Sequence, residues 1–141
     1  MKRHIGGMSH VKCGPTVLVD AEVIALSDGK FVYDGPMWEG VKETMGPSAW
    51  IRQNGVSIVL ISLKKQPVDL AFCRKLGMEC SKMKFLGIKS TGHFRSGFES
   101  IAGSIFNVDA SGLFTQDFRE IPYSRLGRPV YPIQKTANRG W

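Results

Sequence analysis

Apolar and polar positions alternate from Thr16 to Leu26, with Val17, Val19, Ala21 and Val23 on one side and Asp20 and Glu22 on the other. A period of two predicts a strand with one buried face. Ser27-Asp28-Gly29-Lys30 has the composition of a turn, and Phe31-Val32-Tyr33 after it predicts a short return strand, closing a hairpin. The strongest hairpin signal comes later, where Asn54-Gly55 separates residues 49–52 from residues 56–62. A type I′ turn needs positive φ at both central positions, which Asn and Gly adopt at little cost. Residues 56–61 are nearly all β-branched or Leu, and the run predicts a central strand covered on both faces. After Gln66-Pro67-Val68-Asp69 the period changes. Asp69 is suited to cap a short helix carrying Phe72, Cys73 and Leu76 inward, and Gly77 is suited to end it.

A second pattern starts at Met83. An apolar run to Ile88 ends in Lys89, Ser90-Thr91-Gly92 makes a turn, and Phe94, Phe98, Ile101 and Ile105 follow at helical spacing. Residues 105–108 again read as a strand, so the segment predicts a βαβ unit with a parallel return strand. Lys89, His93 and Arg95 would then gather at the carboxyl end of a strand and the first turn of a helix. Open α/β sheets bind ligands at that edge, and helix N-termini favour anions. These three residues are therefore the candidate site, able to hold a carboxylate or phosphate, with Arg95 the first choice because a guanidinium can grip a carboxylate through two parallel bonds. The competing structural role for Arg95 is an ion pair with Glu99 four residues on. The tail, residues 110–141, has prolines at 122, 129 and 132 and is expected to run extended, anchored by Leu113, Phe114, Phe118, Tyr123 and Tyr131.

The fold class expected is α+β: a mixed sheet of antiparallel hairpins plus one βαβ unit in a single domain. Residues 1–15 read as a flexible N-terminal segment, 16–133 as the domain and 134–141 as a tail. A chain of 141 residues with 43% hydrophobic content can bury a core of that size. The charge of +7 changes the picture little. Its basic pairs, Lys2/Arg3, Lys64/Lys65 and Arg74/Lys75, are scattered, and no aromatic RNA-binding signature or helix-turn-helix pattern accompanies them, so no nucleic-acid partner is expected. No apolar run approaches the roughly 20 residues of a membrane span, and no apolar stretch follows the basic start, so a cytoplasmic protein with no membrane partner is expected. Cys13, Cys73 and Cys80 lack CxxC spacing and read as reduced, buried thiols. His4, His10 and His93 form no HExxH pair, so no metal site is expected within the chain.

Several short motifs, in order, resemble the C-terminal domain of MlrC-type (microcystinase C-like) zinc metallopeptidases. They are residues 23–31 followed by Gly35-Pro36-Met37, then Met45-Gly46-Pro47, Asn54-Gly55-Val56 and Gln66-Pro67-Val68-Asp69. Lys89-Ser90, His93-Phe94-Arg95 and Phe98-Glu99 continue the series, which ends with Val108-Asp109-Ala110-Ser111-Gly112-Leu113, Ile121-Pro122-Tyr123 and residues 128–132. The resemblance runs from about Gly6 to Ile133. It implies a C-terminal domain, or a truncated or split form, of an enzyme hydrolysing small peptides, inactive alone. In that family a separate N-terminal domain carries the zinc, so the resemblance implies no cofactor within this chain and an N-terminal metallopeptidase domain as partner. It implies substrate binding for Arg95, His93 and Lys89. Family members show Gly-Gly-Lys where this domain starts, whereas Gly6-Gly7 here precedes Met8-Ser9-His10, so that lysine is either lost or replaced by Lys12. An apolar face near Met37, Trp38 and Phe94 is expected to meet that partner or to self-associate. The alternative reading is a stand-alone module capturing an anionic small molecule at the βαβ edge.

Overall fold

The computed structural model describes residues 1–7, 14–109, 115 and 117–134. His10, Lys12, Cys13 and residues 110–114, with the Leu113 and Phe114 anchors, lie outside the described residues. The chain divides into two units: residues 1–3 with 19–106, and residues 4–18 with 107–141.

The first unit is mostly β. Strand β3 (Glu22–Ser27) pairs antiparallel with β6 (Ser48–Gln53), which pairs antiparallel with β7 (Val56–Ile61), giving a three-stranded sheet in the order β3-β6-β7. Strand β4 (Lys30–Val32) pairs antiparallel with β5 (Lys42–Thr44). Two further strands, β1 (Lys2–Ile5) and β2 (Val17–Asp20), form a two-stranded pair whose residues are divided between the two units. The β6–β7 hairpin turns on Asn54 and Gly55 at φ of 49° and 79°, the positive values that those residue types accommodate. The short helix α1 (Ala71–Arg74) ends where expected: Gly77, at φ 78°, donates to Arg74 O, and Met78 donates back to Cys73 O.

Two expectations about strands need correction. Residues 16–26 do not form one strand pairing with 31–33. They divide into β2 and β3, and β3 pairs with β6 while β4 turns to β5. Strand β7 is an edge strand, and the central position belongs to β6. The local turn fixes β6 beside β7, but β6 has a second edge, and β3 takes it. An apolar run identifies a strand without saying how many neighbours it has.

The βαβ unit is also corrected. Residues 83–93 contain no strand, the helix α2 (Arg95–Phe98) is a single turn continued by a 3₁₀ turn (Glu99–Ile101), and residues 105–108 are irregular. Where their directions are defined, the pairings among the described residues are antiparallel, and the architecture is mostly β with short helices. Lys84 and Gly87 interrupt the first apolar run, and the backbone amides after it bond locally, Ser90 N to Ile88 O and Arg95 N to Gly92 O. Gly97 weakens the helix from within.

The core lies between the sheets and α1. Phe31, Tyr33, Met45, Val68, Ala71, Phe72 and Leu76 are buried together, with Ala25, Trp50, Val59 and Ile61 packed on them. Phe31 meets Tyr33 and Phe72 edge to face at 4.9 and 5.0 Å between centroids, a geometry that suits the ring quadrupoles. A second cluster of Met78, Cys80 and Phe98 continues the core toward α2. In the second unit a 3₁₀ turn (Phe118–Glu120) starts on the Asp117 carboxylate, which accepts from Arg119 N at 3.0 Å. Phe118, Tyr123 and Tyr131 are exposed there, Tyr131 to 81%, so they do not anchor the tail as expected.

Candidate functional site

The site is organised around a carboxylate that its sequence position only partly explains. Asp69 is 2% exposed. Its Oδ1 accepts from Ala71 N, the first residue of α1, although the N-cap position falls on Leu70 rather than on Asp69 as expected. Its Oδ2 also accepts from Asp34 N at 3.1 Å and Gly35 N at 2.8 Å. Burying a carboxylate is costly unless donors replace the lost water, and three backbone N–H groups do so here. The Arg74 guanidinium pairs with the Asp34 carboxylate, closing the same loop onto α1.

On its other side Asp69 touches α2. A Cβ placed on Gly97 would lie 2.6 Å from Asp69 Cα and 2.7 Å from Val68 O, so only glycine permits this approach. Ser96 Oγ donates to Val68 O at 3.1 Å and to His93 O at 2.9 Å. Two segments are thereby fixed to one anchor. The first is the loop after Tyr33, closed by Gly40 N to Tyr33 O at 2.8 Å, which presents Met37 and Trp38 at the surface. The second carries His93 and Arg95.

The candidate residues are placed as follows. His93 Nδ1 lies 3.1 Å from Gln66 Oε1, and Gln66 Nε2 donates to Ser90 Oγ at 2.7 Å. Gln66 thus holds both ends of the 90–93 turn and orients the imidazole. Arg95 Nη1 donates to Glu99 Oε1 at 3.1 Å, and its guanidinium carbon stands 5.4 Å from the Phe94 ring centroid. Both Arg95 and Glu99 are largely exposed, so this ion pair is weak and leaves the guanidinium free to exchange partners. Lys89 is exposed on the same segment. The three do not gather at a strand end, because no strand precedes them; the local turn and its Gln66 support bring His93 and Ser90 together. Met37 and Trp38 are exposed, Trp38 meeting Tyr33 edge to face at 5.2 Å, while Phe94 is half-buried.

Gln66 and Asp69 escaped the sequence reading as site-shaping residues. The signal that could have found Asp69 is the pair of glycines, Gly35 and Gly97, whose missing Cβ atoms open the space that Asp69 occupies. A zinc ion does not fit among the described residues. They contain no group of three or more His, Cys, Asp or Glu able to hold a metal, and Asp69 is occupied by backbone amides. No described helix is long and apolar enough to cross a membrane.

Among curated proteins nothing matches the chain. Its fold is similar to a crystal structure of a "putative metallopeptidase" from Mesorhizobium sp. BNC1, with a TM-score of 0.79 and 22% identity. The match covers 97% of this chain and 27% of that one, so this chain spans about a quarter of that protein. The family described as MlrC C-terminus matches residues 1–125. The chain belongs to the MlrC C-terminus family.

Proposed function

We propose that this chain serves as the C-terminal domain of an MlrC-like zinc metallopeptidase acting on small peptides, beside a metal site carried by a separate N-terminal domain. The observation that carries the reading is the family match over residues 1–125, together with a solved relative of which this chain spans 27%. In this role Arg95 grips the peptide carboxylate in exchange for Glu99, a partner it holds only loosely. His93, steadied by Gln66, orients the substrate, and Lys89 adds positive charge. Hydrolysis itself belongs to the zinc and the domain that binds it.

The test is complementation. The purified chain is assayed for zinc content and small-peptide hydrolysis, alone and mixed with the zinc-loaded N-terminal domain of a full-length family member. Turnover only in the mixture is expected. Arg95→Ala should raise the KM of the mixture by about tenfold or more, with zinc content unchanged, since a charge-assisted pair contributes on the order of 1.5–3 kcal/mol. Stoichiometric zinc and turnover in the chain alone would overturn the reading. Capture of a free small anion by the same three residues, the competing reading, loses the parallel-sheet edge on which it was based.

A further inference from the structure

Residues 66–69 hold the 90–97 segment through backbone and side chains together. Val68 and Asp69 are buried, and Pro67 fixes its own φ beside them, so the stem carrying the half-buried Gln66 amide is anchored in the core. Ser96 Oγ donates to Val68 O at 3.1 Å and to His93 O at 2.9 Å, which ties the backbone beneath the imidazole to the same anchor. The amide itself then meets Ser90 with one end and His93 with the other.

An amide has a fixed polarity: its nitrogen only donates and its oxygen only accepts. Gln66 Nε2 lies 2.7 Å from Ser90 Oγ, so the serine oxygen accepts and its own proton stays free to donate elsewhere. Gln66 Oε1 lies 3.1 Å from His93 Nδ1, so Nδ1 carries a hydrogen, and in the neutral ring Nε2 carries a lone pair. His93 is exposed, and among the described residues nothing else bonds to its Nε2 or takes the Ser90 proton.

We propose that Gln66 is a positioning residue that sets the polarity of the 90–93 turn, so that His93 Nε2 accepts from the N–H of a peptide group and Ser90 Oγ donates to its carbonyl. The peptide as ligand rests on the proposed function above; the polarity of the turn stands on the hydrogen bonds themselves. Ser90 thereby becomes a substrate-contacting residue, and the tasks divide. Arg95 takes the charged terminus, while the turn reads the neutral amide beside it. Free histidine favours the opposite, Nε2–H form. Without Gln66 the ring would point a donor at the substrate N–H, and an attraction would become two donors facing each other.

The first measurement uses the chain alone. Long-range nitrogen–proton NMR correlations at alkaline pH, where imidazoles are neutral, should show His93 protonated at Nδ1. Gln66→Leu should shift the tautomer ratio about fivefold toward Nε2–H, the effect of one ordinary hydrogen bond. Gln66→Glu keeps an acceptor oxygen and should restore the Nδ1–H form. A predominantly Nε2–H ring in the unaltered chain, or a ratio that Gln66→Leu leaves unchanged, would overturn the proposal; the spectrum of the unaltered chain decides even where Gln66→Leu fails to fold. The second measurement uses the mixture with the zinc-loaded N-terminal domain. Gln66→Leu and Ser90→Ala should each raise KM about fivefold, with kcat and zinc content unchanged. An unmoved KM in either variant would remove the turn from the substrate. An absence of turnover in every mixture would overturn the proposed function and the peptide contact with it, while the tautomer stands or falls on the NMR result.

Discussion

Residues 22–76 and residues 83–106 carry comparable apolar patterns, yet the first region forms sheets and a helix, and the second forms one helical turn and loops. In the first, Ile51 and Met45 are fully enclosed. In the second, Phe85 is 86% and Phe106 84% exposed. The difference lies in backbone partners. Strand β6 has neighbours on both edges, so its amides are satisfied while its side chains are buried. The run from Met83 to Ile88 pairs with no strand; its end residues Met83 and Ile88 pack on the Met78, Cys80 and Phe98 cluster, while Phe85 between them stays exposed. Apolar spacing marks what a segment would bury, but pairing decides whether it can.

The comparison can be broken most sharply at its ordered end. Ile51→Ala should cost about 2–5 kcal/mol in urea unfolding, because the site on β6 is enclosed and cannot easily collapse. A loss below about 1 kcal/mol would mean that the sheet is not the stabilising region. Asp69→Asn tests the joint between the regions. It replaces an acceptor oxygen with a donor facing amides that need acceptors, and should cost about 2–3 kcal/mol. Limited proteolysis should then open the loops at 34–38 and 90–97 together. Cleavage at only one of them would show that the two segments are held separately.

The irregular region should respond far less. Phe85→Ser should change unfolding free energy by no more than about 0.5 kcal/mol, as a surface substitution does. A large loss would place Phe85 in an unrecognised core. The smallest effect belongs to the second unit. Hydrogen bonds from Arg119 hold Asp117 down to about 2, from an ordinary 3.8. A lowered carboxylate stabilises the fold above the unfolded value, and that contribution is lost as pH falls from about 4 toward 2. NMR titration should show the Asp117 carboxyl shift moving in that window, and Arg119→Ala should return it to the usual carboxylate range. An unchanged titration in the variant would remove the ion pair.

Some of this molecule was legible in single residues. The β6–β7 hairpin is written in Asn54-Gly55, and the end of α1 in Gly77, because a positive φ is a property of the residue itself. Asp69 announces a nearby helix start because its short carboxylate can accept from a backbone N–H two residues on, here Ala71 N. The order of family motifs from Gly35-Pro36-Met37 to His93-Phe94-Arg95 points to the MlrC C-terminus family before any contact is known. The candidate residues were legible only as residue types. Whether Arg95 faces a ligand or Glu99 depends on a helix whose length Gly97 limits.

What the sequence determined by itself is therefore the set of turns, caps and apolar runs, together with the family. Tertiary structure alone decided that β3 pairs with β6, opposing Glu22 to Arg52. It also decided that Asp69 joins the Asp34-Gly35 loop to α1 while Gly97 packs against it, and that Cys73 and Cys80 share one cluster. The reason is the range of the forces. A turn residue acts through its own φ and ψ, so its preference survives in any context. A strand edge or a buried carboxylate is satisfied only by groups far along the chain, and which of them arrives is settled when the whole core closes.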